Sequence, residues 1–154
     1  MKPRHQKIIV GWIETVEFPD WKIAGIRAKI DTGARTSALH VENLEELSRG
    51  RVRFDVMLGR RTPFRRRTVT ARVVKAARVR SSNGRHEERY FVRTAIQMGG
   101  HLKEIELSLV SRGKMLFRML LGRKALEHDF LVDVSHRHVV TTRIRAKAKI
   151  PKSS

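Results

Sequence analysis

Short runs in which every second residue is apolar recur along this chain, and that two-residue period is the signature of half-buried β-strands. Val52, Phe54, Val56 and Leu58 alternate with polar neighbours, as do Tyr90, Val92, Thr94, Ile96 and Met98, and then Ile105, Leu107 and Leu109. Ile23 to Ile30 reads as a strand entering a loop at Asp31, and Thr36 to His40 as the strand leaving it. Met115 to Leu121 and Phe130 to Val134 are apolar enough for buried strands. Helical signals are few. Val41 to Leu47 predicts about two turns with Glu42, Glu45 and Glu46 facing solvent, and Lys124 to His128 predicts one short helix. Asn83-Gly84 is a tight-hairpin dipeptide, because both residues tolerate positive φ. The pattern predicts an all-β chain, a small closed barrel or sandwich with one or two short helices. Residues 1–142 form the domain, and the basic segment 143–154 reads as a disordered tail.

Composition narrows the function classes. The chain has 154 residues and 40% hydrophobic content, enough for one domain with a real core. Cysteine is absent, which excludes disulfides, thiolate metal sites and cysteine nucleophiles. Ile8-Ile9-Val10 is too short for a signal-peptide core, and no apolar run approaches a membrane span, so a cytoplasmic protein without membrane partners is expected. The 34 lysines and arginines outnumber 15 acidic residues, for a formal charge of +19. A field of that sign attracts polyanions and speeds their arrival by about 10- to 1000-fold at low salt.

Asp31-Thr32-Gly33-Ala34 follows the strand Ile26 to Ile30. Such an aspartate either caps its own backbone at an ordinary strand-to-turn junction or, as a carboxylate at the end of a rigid strand on a loop made tight by glycine, meets a second carboxylate. Two such groups about 3 Å apart share one proton, so one serves as general base on water and the other as general acid. None of the other aspartates (Asp20, Asp55, Asp129, Asp133) lies in an Asp-Thr-Gly setting. Asp31 therefore needs its own copy across a two-fold axis, and a C2 homodimer is expected.

Met119-Leu120-Leu121-Gly122-Arg123 comes late in the chain, before Lys124-Ala125-Leu126. That apolar-Gly-Arg strand, placed after a catalytic loop and intervening hairpins, resembles the retropepsins. Gly11 to Glu14, Ala28 to His40 and Met119 to Arg123 together resemble the bacterial retropepsin-like aspartic proteases associated with RimK-type glutamate ligases. Ser82-Asn83-Gly84, Arg89 and Val132-Asp133 fit the same pattern, and the resemblance covers about residues 8 to 136. It implies a retropepsin-like acid-protease fold with one lobe per chain. It also implies peptide hydrolysis by a homodimer through paired Asp31, with Thr32 and Gly33 supporting the loop. In RimK-linked members it implies trimming of glutamate tails on a ribosomal protein, which makes the RimK-type ligase pathway or the ribosome partners to expect. Members often carry an "ATP-dependent zinc protease" label. Neither a His-Glu-x-x-His motif nor a Walker-type loop is present to support it, and His136/His138 supply two ligands at most, so no metal or other cofactor is expected.

The remaining candidates have two readings each. Ser82, Asn83 and Gly84 form either a flap over substrate or an ordinary hairpin. Ala34, Arg35, Arg85 and Arg89 are candidates for substrate contact, the arginines because a planar fork suits carboxylates. Glu14 and His40 fit structural support better than acid–base roles, as do Leu120, Leu121, Gly122 and Arg123. The run Arg60, Arg61, Arg65, Arg66, Arg67 is a solvated loop, an attractor of acidic substrate, or an RNA or ribosome contact. The competing reading of the whole chain is a non-catalytic basic β module that binds RNA or the ribosome.

Overall fold

A computed structural model describes residues 6–59, 65–80, 84–111 and 116–141, with the side chains of Val79 and Arg80 excepted. Ten strands and one helix follow in chain order: β1 (Ile8–Gly11), β2 (Ile13–Phe18), β3 (Ile23–Ile30), β4 (Ser37–Leu47), β5 (Arg51–Leu58), β6 (Arg65–Arg80), β7 (His86–Met98), β8 (His101–Val110), β9 (Met119–Leu121), α1 (Arg123–Leu126) and β10 (Phe130–Asp133). Alternation explains most of them. In β5, Val52, Phe54 and Val56 are buried while Arg51 and Arg53 are exposed. Eight strands join in the order β2-β3-β9-β4-β5-β6-β7-β8. The sheet folds back on itself through a β4–β8 pairing and a β2–β7 contact. That last seam is a single residue pair, Glu17 opposite Gln97, so the chain is all-β as expected but the sheet is not a true barrel. β1 and β10 form a separate parallel pair.

Two expectations are corrected. The segment Val41 to Leu47 is strand, not helix. Val41 pairs with Val56, and Glu45 meets Arg53 at 2.6 Å, so the acidic residues that suggested a helix find cross-strand arginines instead. Asn43, at φ 54°, lies within the irregularity that separates the two halves of that ladder. Arg65, Arg66 and Arg67 are likewise not loop. They open β6 opposite Leu58, Met57 and Val56. Arg60 and Arg61, Ser82 and Asn83, and residues 143–154 lie outside the described residues.

The core lies within the wrapped sheet and includes Val16, Phe18, Ile26, Ala28, Leu39, Val41, Phe54, Leu107 and Met119. Trp21, on a single 3-10 turn (Pro19–Trp21), stacks on Phe18 with ring centroids 4.9 Å apart and meets Phe54 edge-on at 5.5 Å. The short helix buries Ala125 and Leu126, one residue earlier than expected at its start.

One buried charge fastens the C-terminal segment to this body. Glu14 is fully buried. Its Oε2 accepts hydrogen bonds from the backbone N–H of Gly11 (2.7 Å), Val139 (2.9 Å) and Val140 (3.3 Å). Its Oε1 accepts from the N–H of Thr141 (3.1 Å) and from the Thr141 hydroxyl. A carboxylate held by this many donors is compensated for its burial, and its loss strands several N–H groups. Glu14→Ala is expected to lower unfolding free energy in urea by about 3 kcal/mol or more. Amide exchange at Val139 to Thr141 should speed up selectively. Unchanged stability would contradict this role.

Candidate active site

β3 delivers Asp31 to the surface as a half-buried residue at the end of a strand whose Ile26, Ala28 and Ile30 point into the core. The backbone locks it there. The Ile30 N–H donates to the Trp12 carbonyl and the Asp31 N–H to the Leu121 carbonyl, both at 2.8 Å. The loop then closes on itself. Asp31 Oδ1 accepts the Gly33 N–H at 3.0 Å, and the Asp31 carbonyl accepts the Ala34 N–H at 3.2 Å. A Cβ on residue 33 would come within 3.2 Å of Asp31 Oδ1. The carboxylate is thus aimed by its own loop, with Oδ2 left out of that bond.

The late strand braces the loop from beneath. β9 runs between β3 and β4, with Leu121 beside Ile30 and Leu120 beside Ala38. The buried Ser37 hydroxyl accepts the Gly122 N–H at 3.1 Å. The Arg123 N–H donates to the Ala34 carbonyl (2.8 Å) and the Lys124 N–H to the Arg35 carbonyl (3.0 Å). Arg123 Nη1 reaches the Thr32 carbonyl at 3.0 Å. Gly122 lies so close beneath the loop that a Cβ would sit 2.6 Å from the Thr36 carbonyl oxygen and 2.9 Å from that of Ala34. Only glycine fits.

Asp31, Thr32, Gly33, Ala34, Arg35, Leu121, Gly122 and Arg123 are therefore brought together as one unit, with Leu120 alongside. Other candidates lie elsewhere. Glu14 serves the C-terminal strap. His40 is buried on β4, and its backbone N–H donates to the Arg118 carbonyl at 2.7 Å. Burial holds its imidazole below the usual histidine pKa, opposed by Glu42 and reinforced by Arg118. Gly84, Arg85 and Arg89 lie on the β7 side of the β6–β7 hairpin, Arg89 opposite Ala77.

A cleft of about 470 Å³ runs along β3 and β9, the strands that lead into the loop and its brace. It is lined by Trp12, Ile13, Arg27, Lys29, Leu116, Phe117, Leu120 and Arg137. Phe117 meets Trp12 edge-on at 6.2 Å. Arg27 lies 5.3 Å over the Phe117 ring and Arg137 5.3 Å over the Trp12 ring. Among the described residues the lining holds three cations and no carboxylate, and Lys29 is two residues from Asp31. Apart from Leu120, sequence reading singled out none of these residues, nor Ser37, as part of a site. The cleft draws on several separate segments, so no local pattern reveals it. The local signal was the pair Arg27 and Lys29, two cations in an otherwise apolar strand.

Asp133, Ser135 and His136 also converge, but not as a nucleophilic triad. Ser135 Oγ (2.8 Å) and Asp133 Oδ2 (2.9 Å) both meet the same ring nitrogen, His136 Nδ1, so no relay through the imidazole exists. The group is a surface turn, in which hydrogen bonds from Ser135, chiefly its hydroxyl, hold the Asp133 carboxyl below its usual pKa.

Comparison with known proteins agrees with this architecture. Residues 9–143 match a family model described as RimB-like, "Retropepsin-like aspartic endopeptidase RimB", and the chain belongs to that family. Curated relatives include a "Probable alpha-L-glutamate ligase" of Shewanella halifaxensis, 38% identical over 135 residues. Another of the same description, from Desulfotalea psychrophila, is 36% identical over 135 residues. The matches cover 84% and 82% of this chain but only 29% and 28% of those proteins. The crystal structure of protein Lpg0085, of unknown function, from Legionella pneumophila superposes with a TM-score of 0.73 at 24% identity. It covers 88% of this chain and 100% of that one, and shows the fold alone.

Gly122→Ala tests the brace. The overpacking is expected to cost about 1–3 kcal/mol, measured by chemical denaturation. Hydrogen exchange should accelerate at Arg123 and Lys124, whose amides hold the loop. Wild-type stability and protection in this variant would contradict the packing described.

Proposed function

Proceeding from membership of this retropepsin-like family, we propose that the chain is one half of an aspartic endopeptidase that works as a two-fold homodimer. The observation that carries the reading is the Asp31 carboxylate, fixed at a strand end on a loop tied by four backbone-directed hydrogen bonds to Leu121, Arg123 and Lys124. The chain holds one such loop, so the second carboxylate comes from a second copy. In the proposed reaction the two Asp31 groups share one proton. The ionised one takes a proton from water as the water oxygen attacks the scissile carbonyl carbon. The protonated one first donates to the carbonyl oxygen. In the resulting gem-diol, the Asp31 that took the water proton gives it to the leaving nitrogen as the C–N bond breaks, and one diol hydroxyl returns its proton to the other Asp31, which restores the shared state. Thr32 and Gly33 hold the loop, while Ala34, Arg35, Gly84, Arg85 and Arg89, with Ser82 and Asn83, contact substrate.

The proposed substrate is acidic, a peptide or a glutamate-tailed protein. Among the described residues three cations and no acid line the cleft, in which Lys29 is two residues from Asp31, and a carboxylate there would meet Arg27, Lys29 or Arg137 in a partly apolar setting that strengthens the attraction. The relatives' names point to glutamate chemistry as well, but this chain spans less than a third of their length. The ligase activity is therefore not carried over. The proposed role is removal of glutamates that a RimK-type ligase adds, with a modified ribosomal protein as the physiological target, in the cytoplasm. No helix among the described residues is long and apolar enough to cross a membrane.

Asp31→Asn keeps the side-chain shape and removes the acid. Cleavage of a glutamate-tailed protein is expected to fall by at least about 10²- to 10⁴-fold, with Lys29→Glu raising KM for the same substrate. Equal cleavage by wild type and Asp31→Asn would sink the mechanism.

A further inference from the structure

β6 carries seven basic residues in sixteen and no acidic one. Its Val69, Ala71 and Val73 turn toward the core, so Arg66, Thr68, Thr70 and Arg72 line the opposite, outward face. The neighbouring strand does the same with Arg51 and Arg53. In the antiparallel register, Arg51 stands directly opposite Arg72, and Arg53 opposite Thr70. Like charges facing each other across a ladder are destabilising.

Elsewhere on the sheet the fold avoids that cost by pairing. Arg53 meets Glu45 at 2.6 Å, Arg66 meets Glu42 at 3.5 Å, and Arg93 meets Glu104 at 3.1 Å. Asp55, the one acid on β5, is engaged by Thr68 (2.6 Å) and Asn43 (2.9 Å). Among the described residues Arg51 makes only a long bond from Nε to the Ser48 carbonyl, 3.4 Å. Among the described residues Arg72 has neither an ion pair nor a side-chain hydrogen bond. Arg49, exposed on the turn that joins β4 to β5 at φ 63°, adds a third cation at the same end. The fold therefore carries unneutralised, opposed arginines where a bound polyanion would relieve the repulsion.

We propose that Arg49, Arg51, Arg72 and Thr70 form a docking surface for the phosphate backbone of duplex RNA, separate from the Asp31 site. β4 connects the two sites, from Ser37 beside the loop to Leu47 opposite Arg51, up to about 33 Å along the strand. An acidic peptide fits this face poorly. β5 is paired on both sides, and β6 pairs with β5 over Arg65–Arg72 and with β7 only from Val73 on; these four residues offer no apolar anchor for a peptide added along that half of β6. A uniformly charged backbone needs none. The absence of an aromatic platform among them disfavours single strands, which bind by stacking. The Thr70 hydroxyl between the arginines can donate to and accept from a 2′-hydroxyl, which RNA has and DNA lacks.

The test uses the full chain and a fluorescent RNA duplex of about 20 base pairs, followed by anisotropy from low to moderate salt. Binding is expected to fall with a log–log salt slope of about −3, one unit for each cation on the backbone. Arg51→Glu/Arg72→Glu should weaken it at least about tenfold and reduce the slope by about two. Arg51→Gln/Arg72→Gln should weaken it less, with an unfolding temperature equal to or above wild type, which keeps the test valid if the reversed pair misfolds. Asp31→Asn should bind RNA like wild type, so the outcome is independent of peptidase activity. Unchanged affinity in both arginine pairs would overturn the proposal. Equal or tighter binding of a DNA duplex would overturn the assignment to RNA. Displacement of the RNA by polyglutamate at equal charge would overturn it in favour of an acidic polypeptide.

Discussion

The contact on which this molecule depends is the one between Gly122 and the carbonyls of Ala34 and Thr36. A loop that presents a half-buried carboxylate would ordinarily be mobile, because its backbone groups can pair with water. Here the chain returns some ninety residues later and places a strand end directly beneath it. The approach is so close that no Cβ fits. The amides of Arg123 and Lys124 then satisfy the loop carbonyls, and the Ser37 hydroxyl takes the amide of Gly122 itself. Asp31 inherits the rigidity of β3, β4 and β9 without lying inside any of them. That rigidity matters for catalysis, since a misplacement of about 1 Å in a reacting group can cost a hundredfold in rate.

Much of this was readable in the residues, and the failures have physical causes. β3, β5, β7 and β8 follow from alternation, because each has one face in the core and one in solvent. The Asp31 loop and the Gly122 strand were readable as motifs because glycine at each position answers a steric demand. The second half of β4 was not. Glu42 to Leu47 has the composition of a solvated helix, and only the arginines of β5 and β6, remote in sequence, make it a strand. The start of β6 was hidden for the converse reason: an arginine run reads as loop unless its ladder with Val56, Met57 and Leu58 is known. The cleft was hidden because Trp12, Arg27, Phe117 and Arg137 come from distant segments and meet only after the sheet wraps.

The +19 charge is not spread evenly in its consequences. Arg53, Arg66 and Arg93 of the sheet are spent on Glu42, Glu45, Asp55 and Glu104, and exposed pairs of that kind contribute little stability. Two further groups of cations occupy different settings. Arg27, Lys29 and Arg137 border an apolar cleft along β3 and β9, where attraction for a carboxylate is strengthened by poor solvation. Arg49, Arg51 and Arg72 stand on an open face, where attraction is long-ranged and screened by salt. The first arrangement suits selection of a side chain and the second suits capture of an extended polyanion.

The central claim is that Asp31 acts opposite its own copy. Two carboxylates about 3 Å apart share one proton because both cannot stay ionised, and a chain with one Asp-Thr-Gly loop finds its second carboxylate in a second copy. The most direct measurement is the separation of the two Asp31 carboxylates in a crystal structure of the protein as it assembles in solution. The account predicts a dimer with those carboxylates about 3 Å apart, on loops braced by Gly122 of each copy. A monomer, or a dimer whose Asp31 groups are too far apart to share a proton through one water, would contradict it.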